Sequence, residues 1–430
     1  RWLWTPVVAG LTFLVTALGY RISAIRWTVT TFAIAVVVSA VVALLPADDF
    51  RSLVVNGVIS GVGGVLVFLP QICLLFFFIC LLEDSGYMAR AAFVMERLMR
   101  SVGLPGKAFV PMLSAHACAI PGIMAARVIE DRRDRLVTIL VLPLLTCSAR
   151  LPVYAMVAAL LFSESPTEAA LVFVGAYLLG IAAALLTAFG LKKSILRGET
   201  VPLVIELPPY RRPSLRNALL TVYDRSLVFI QNAGSVILMI SVILWVLATY
   251  PKLSEDNLPS ETAELVATLR ASTGADAEAL HQHADQLVAQ AELEHSFAGR
   301  LGRFVEPVFR PLGFDWRINV GVISSFAARE VVVSTLSIMY GMGDETEEGT
   351  LVETLRRQKR PNGSPVFTTA TCLSLLTFYV LAMQCLPTQV VTKRETGSWK
   401  WAFLQLGYMT ILAYTAALIV YQSAAALGYA

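Results

Sequence analysis

Runs of about 20 apolar residues recur along the chain at 27–46, 57–82, 169–190, 227–249, 368–391 and 401–427, the length a helix needs to cross a hydrocarbon layer roughly 30 Å thick. Four further stretches are apolar, 3–20, 107–124, 135–162 and 318–341, and the last three hold Pro, polar or ionisable residues. The pattern predicts eight to ten crossings or partial crossings, with amphipathic helices at 85–102 and 296–312 between them. Composition agrees. The 430 residues are 56% hydrophobic and 15% charged with a mean hydropathy of +0.67, more apolar mass than a globular surface tolerates. An all-α, polytopic helical membrane bundle is expected.

The chain also repeats itself. At an offset of 210, Ser85–Ile120 aligns with His295–Glu330 without a gap, and Arg90, Glu96, Arg100, Gly103, Val110, Ser114 and Ala117 match Arg300, Glu306, Arg310, Gly313, Val320, Ser324 and Ala327. Each copy runs through an apolar span, an amphipathic helix, a Gly-centred turn and an interrupted apolar segment. Broken segments at matching places in two halves point to a transporter's binding site. Inverted repeats would put the 85–102 helix on the cytoplasmic face and 296–312 on the other, with 107–124 a re-entrant element.

Charge orients this plan, because short cytoplasmic loops collect Lys and Arg. Segment 191–226 holds Lys192, Lys193, Arg197, Arg211, Arg212, Arg216 and Arg225 against three acids, and is expected in the cytoplasm. Segment 250–295 has Lys252 and Arg270 against nine acids, and reads as an extramembrane helical insertion on the other side. The resulting divisions are 1–52, N-terminal membrane segments; 53–165, the first repeat and a following broken helix; 166–226, a connecting span and the basic loop; 227–341, the second repeat with its insertion; and 342–430, a loop and two spans. The chain starts at Arg1 without Met, so an upstream segment is expected.

Ion chemistry is concentrated in the broken segments. The first, Pro111 to Met124, contains two prolines and a glycine, which free backbone carbonyls that membrane tolerates only against protein or a watery cavity. Met112, His116, Cys118 and Met124 offer thioether, imidazole and thiol donors suited to a late first-row metal such as Fe²⁺; the two methionines read more readily as core fillers, Cys118 between two helix breakers reads more readily as a donor, and His116 stands between them. Pro121 shapes the break. The second copy carries Arg329 and Glu330 inside an apolar run, either an oxygen ligand with its balancing charge or a structural ion pair. A third element, Thr146-Cys147-Ser148-Ala149-Arg150-Leu151-Pro152, implies two half-helices with a carbonyl end that attracts cations, Cys147 and Ser148 on the pathway and Arg150 bracing the break. A fourth, Gln384-Cys385-Leu386-Pro387, again sets a thiol beside a helix-breaking proline. Glu83 with Asp84 forms either an acidic mouth or, as favoured here, a cap for the following helix.

All six cysteines lie in apolar segments, so free thiols or ligands are expected rather than disulfides. Gly103-Leu-Pro-Gly106-Lys107-Ala108 lacks the first glycine and the hydroxyl of a phosphate loop. No Rossmann fingerprint, HExxH, GxSxG or CxxC is present, and no soluble enzyme domain or nucleic-acid module is visible.

Leu69-Pro70-Gln71, Leu82-Glu-Asp-Ser-Gly-Tyr-Met-Ala-Arg90, Gly103-Leu-Pro-Gly-Lys-Ala-Phe-Val-Pro111, Met124-Ala-Ala-Arg127, Cys147 to Tyr154, Glu206-Leu-Pro-Pro-Tyr210, Pro311 to Asp315, Arg329-Glu330 and Arg394 to Trp401 together resemble the ferrous iron transport protein B (FeoB) family, in order from about 57 to 427. The resemblance implies two Gate repeats of nucleoside-transporter-like architecture in a bacterial inner membrane. It further implies Fe²⁺ uptake dependent on a cytoplasmic GTP-binding domain, with its Mg²⁺, fused upstream or separate; the residues themselves suggest Cys118, Cys147 and Glu330 as the ion's route, with Cys385, Ser148 and His116 as further donors. A small FeoA-like protein and a homo-oligomer are further expected partners. Ala117-Cys-Ala-Ile-Pro121 departs from the family's G-C-N-V-P, Gln384 precedes Cys385 where many members have Pro, and residues 1–46 match poorly. Another divalent metal, Mn²⁺ or Zn²⁺, a nucleoside or small-organic carrier, and a non-transporting scaffold or sensor remain the alternatives.

Overall fold

A computed structural model describes residues 47–54, 58, 60–162, 165–196, 209–253, 260–270, 284, 287–289, 291–326, 329, 331–340, 348–358, 365–383 and 385–428. The expected spans at 3–20 and 27–46 lie outside the described residues, as do Glu330 and Gln384. Among the described residues the regular structure is helical. After a short α1 (Ala47–Ser52) come the span α2 (Ser60–Asp84) and the amphipathic α3 (Tyr87–Ser101). Two short helices follow, α4 (Phe109–Ala115) and α5 (Ala119–Ala125), then a broken pair, α6 (Arg132–Val141) and α7 (Leu151–Leu161), and the long α8 (Pro166–Lys193). α9 (Leu215–Phe229) continues through a π turn at Ile230–Gly234 into α10 (Ser235–Thr249). Beyond α11 (Ser260–Arg270) the second copy runs α12 (Phe297–Phe309), α13 (Trp316–Ser324) and α14 (Val331–Met339), and the chain closes with α15 (Glu348–Arg357), α16 (Thr369–Leu381), α17 (Leu386–Thr396) and α18 (Trp399–Ala426). Arg132–Leu161, Pro166–Lys193, Thr369–Thr396 and Trp399–Ala426 are long and apolar enough to cross a membrane. The apolar run 368–391, read as one span, is interrupted after Leu381, and α16 and α17 are separate half-helices.

Local chemistry sets the helix starts. Asp131 accepts from the amides of Arg133 and Asp134, Asp315 from Ile318, and Thr368 from Thr371, each closing a first turn whose N–H groups have no helical partner. The predicted acidic cap is corrected: Glu83 and Asp84 are the exposed last residues of α2, and Ser85 Oγ instead accepts from the Tyr87 amide at 3.4 Å. The reason is Gly86, whose positive φ of 78° turns the chain sharply and leaves the acids behind on α2.

The duplication is visible in the packing. Gly103 and Gly313, matched by the offset, both end their amphipathic helices with left-handed φ values of 80° and 83°. α4 folds back on α5 as a re-entrant hairpin, so closely that a Cβ on Gly122 would stand 2.9 Å from the Pro111 carbonyl. In the second hairpin the matching pair is Gly321 and Val332, and a Cβ on Gly321 would meet Val332 Cγ2 at 3.0 Å. The close approach is kept while the glycine changes sides. The same exchange recurs where each amphipathic helix meets its hairpin: Gly106 against the Ala92 carbonyl in one copy, Gly302 against the Trp316 carbonyl in the other.

Contacts sort the two copies to opposite ends of the bundle. At one end Tyr210 stacks on Arg90, the Arg211 amide reaches the Ser85 carbonyl, and Arg127 makes a bidentate pair with Glu395. At the other, Arg356 donates to the carbonyls of Ala159 and Leu160, and Gln422 to that of Pro311. α18, 28 residues and about 42 Å long at 1.5 Å per residue, runs from the first end to the second. The Phe297 amide donates to the Tyr250 carbonyl at 2.8 Å, so α12 starts where α10 stops, as α3 starts where α2 stops.

Candidate functional site

Four interruptions of the helical ladder, at 116–118, at 142–150, after Ser324 and after Leu381, are hydrogen-bonded to one another in series. Pro121 has no N–H to give the Ala117 carbonyl, and that oxygen is taken by Ser148, from its amide at 3.4 Å and its hydroxyl at 2.9 Å. His116 Nδ1 lies 3.2 Å from the Thr146 carbonyl, and its ring stacks on Tyr177. In the second copy the Phe326 carbonyl, matched to His116 by the offset, accepts from the Leu386 amide at 3.1 Å. Each hairpin tip is therefore tied to a broken span.

Two arginines occupy the carbonyl ends. Arg150, fully buried, donates to the carbonyls of Pro143 at 2.7 Å, Leu144 at 3.2 Å and Val380 at 2.6 Å. Arg329, 4% exposed, donates to Tyr379 at 3.2 Å and Ala382 at 2.9 Å. The end of α16 is thus gripped by one guanidinium from the broken pair α6–α7 and one from the second repeat. A half-helix C-terminus attracts positive charge, and here the protein supplies that charge itself. The expected brace at Arg150 is observed as these three bonds; the carbonyl ends expected to face a metal carry guanidinium groups.

The thiols sit at the other side of each break. Cys118, Cys147 and Cys385 are half-buried, and each holds an extended backbone as the residue before a half-helix or its leading turn. Met112, Pro121 and Met124 are buried, the two methionines packed in the apolar core, and Glu83 stands exposed at the end of α2. Among the described residues no three His, Cys, Asp or Glu side chains gather into a group that would hold a metal ion.

Several polar residues at the site escaped the sequence reading. Pro143 leaves the Ile139 carbonyl without its helical donor; Gln405 of α18 donates to it at 2.9 Å and to Leu140 at 3.0 Å, while Tyr408 reaches Leu140 at 2.6 Å. Thr392 holds the Gln405 amide oxygen at 3.0 Å. Asn319 in α13 is buried with neither side-chain atom hydrogen-bonded among the described residues. A polar residue inside an apolar run was the available signal for Gln405 and Asn319. Asp134 and Lys192 form a buried ion pair, and Gly103 lies against the Lys192 side chain.

Comparison with known proteins places this architecture. The family model Gate, described as nucleoside recognition, matches residues 65–161 and 230–399, and ferrous iron transport protein B C terminus matches 173–225. A protein of Leptospira interrogans named Fe(2+) transporter FeoB is 45% identical over 88% of this chain and 52% of its own length. One of Methanocaldococcus jannaschii with the same name is 37% identical over 86% and 49%. A Porphyromonas gingivalis protein named as a fusion of Fe(2+) transport protein A with Fe(2+) transporter FeoB is 41% identical over 89% and 46%. The chain spans about half the length of these relatives. No solved structure matches it. The chain belongs to the Gate family of multi-pass membrane proteins, with the C-terminal module of ferrous iron transport protein B set between its two Gate segments.

Proposed function

We propose that this chain is the membrane-permeation part of a ferrous iron uptake transporter of the bacterial inner membrane. The observation that carries the reading is that Cys147 and Cys385 each lead into a half-helix at a break tied to a hairpin tip, Ser148 to Ala117 and Leu386 to Phe326, with Arg150 bonding across to Val380. Helix N-termini favour negative charge, so thiolate ligands are at home there, and a metal gains them by releasing their protons. Thiol, imidazole and hydroxyl donors suit Fe²⁺ better than Mg²⁺ or Ca²⁺. Cys118, His116 and Ser148 line the tip of the first hairpin and hand the ion to Cys147; Glu330 adds an oxygen from the second. Met112, Pro121, Met124, Arg150, Arg329, Glu83 and Gln384 shape or gate the route. The chain is not itself an enzyme in this reading: a GTP-binding domain with its Mg²⁺, fused or separate, docks at the end carrying Lys193, Arg211 and Arg212. The fused relative supports a FeoA-like partner.

The test is uptake of radiolabelled Fe²⁺ by proteoliposomes or an iron-starved host, with Cys118→Ser, Cys147→Ser and Glu330→Gln. Reduced uptake at unchanged protein level is expected; wild-type uptake in all three removes the route. Competition with Mn²⁺ and Zn²⁺ at equal free concentration settles the metal.

A further inference from the structure

We infer that α3 and α12 lie in the headgroup layers of opposite leaflets, and that α3 is the one that takes anionic phospholipid headgroups. The inference rests on the membrane-spanning architecture and not on iron transport.

Each helix is divided into three sides. Met88, Ala92 and Met99 of α3 are buried against the bundle, as are Gly299 and Gly302 of α12. A second side is apolar yet exposed: Tyr87, Val94 and Leu98 on α3, and Phe297, Phe304 and Val308 on α12. These positions match one for one at the offset of 210, and their spacing of seven and four residues keeps them on one face. Val94 is 73% and Phe304 81% exposed, so no helix among the described residues covers the stripe. The spanning helices carry the same kind of uncovered apolar surface, Phe78 on α2 and Phe403 and Ile411 on α18 among it, as a lipid-facing wall must.

The third side is basic. Arg90, Arg97 and Arg100 line α3; Arg300, Arg303 and Arg310 line α12. An apolar stripe beside a basic one is the pattern of a helix lying in a membrane surface. Placement agrees, since each begins directly at the end of a spanning helix, α3 through Ser85–Gly86 and α12 through the Phe297–Tyr250 hydrogen bond. The contacts put them at opposite ends of the bundle, the start of α3 beside Tyr210 and Arg211 ahead of α9, the start of α12 against Tyr250 beyond the end of α10.

The two basic sides are not equivalent. Arg303 pairs with Glu294 and covers Trp316, and Arg300 contacts His295, both partners coming from the acidic insertion. On α3, Arg100 pairs at 3.5 Å with Glu96 of its own helix, and Arg97 beside this pair leaves a net positive charge on a shallow groove completed by Phe93, Val94 and Ser101. A phosphodiester with its acyl chain beside it complements that groove in both charge and polarity. The Gly106 amide donates to Glu96 at 2.5 Å, which joins the same helix to the first hairpin.

The full chain is reconstituted in phosphatidylcholine vesicles containing phosphatidylglycerol, with a photo-crosslinking amino acid at position 94 or 304 and, as a positive control, at 78. Phospholipid adducts are expected at all three. At 94 the ratio of phosphatidylglycerol to phosphatidylcholine adducts exceeds the bulk ratio and falls about tenfold in Arg97→Gln/Arg100→Gln; at 304 it follows the bulk. In oriented membranes Ser101→Cys and Arg300→Cys react with an impermeant maleimide from opposite sides. Chain-to-chain adducts at 94 or 304, absence of lipid adducts there while 78 gives them, or labelling from one side overturns the anchors. A ratio at 94 indifferent to the arginines overturns the headgroup assignment.

Discussion

Arg150 donates to the carbonyl of Val380 at 2.6 Å across 230 residues of sequence, and Arg329 of the second repeat holds Tyr379 and Ala382 beside it. Buried arginines at this depth are costly unless every donor has a purpose. Arg329→Lys keeps the charge but loses the fork that spans two carbonyls. Each lost bond to a charged donor costs about 1.5–3 kcal/mol, so thermal unfolding in detergent is expected to shift down by several degrees. Cys385, four residues beyond Val380's neighbour Leu381, should then react faster with a small thiol reagent. Unchanged melting and unchanged reactivity would show that the grip on α16 is dispensable.

Gly122→Ala places a methyl 2.9 Å from both the Pro111 carbonyl and Ala115 Cβ, two neighbours that cannot swing aside. A loss of about 1–3 kcal/mol is expected from such overpacking. Gly321→Ala, facing a Val332 methyl at 3.0 Å, is milder. Melting curves of the two variants side by side test the order.

Gln405→Leu deprives Ile139 and Leu140 of a shared donor and leaves Thr392 without its acceptor. Unsatisfied buried groups cost about 1–3 kcal/mol each, partly offset at Leu140 by Tyr408. Gln405→Glu cannot donate from an ionised side chain and is expected to be at least as damaging. Equal stability of all three proteins would count against the brace.

Lys107 donates to Glu130 at 2.9 Å and holds that exposed carboxyl below its ordinary value. A carboxyl lowered on folding adds stability above its unfolded pKa and loses it as pH falls through the folded one. Exposure and salt screening keep the contribution small. Glu130→Gln should narrow the difference in melting temperature between neutral and acid buffer at low salt and leave it unaltered at high salt.

Periodicity and composition were sufficient for the helical membrane class, for the duplication, and for the breaks around Cys118 and Cys147, because apolar run length and proline placement act locally and leave a local trace. The division of the penultimate span at 382–385 was only half legible: Pro387 marks it, but the apolar run continues through it. Gln405 left even less, since its role depends on a carbonyl that Pro143 orphans on a helix 266 residues away.

What the sequence determined by itself is the inventory: spans, two copies offset by 210, thiols beside prolines, and arginines inside apolar runs. Tertiary structure decided the partners. It gave the half-helix carbonyls to Arg150 and Arg329, moved the expected cap from Glu83 to Ser85, and exchanged the glycine between the two sides of each repeated contact. The physical reason is common to all three. Free backbone groups and close approaches in a membrane must be satisfied by whatever packs against them, and that neighbour is chosen by the fold and not by adjacency along the chain.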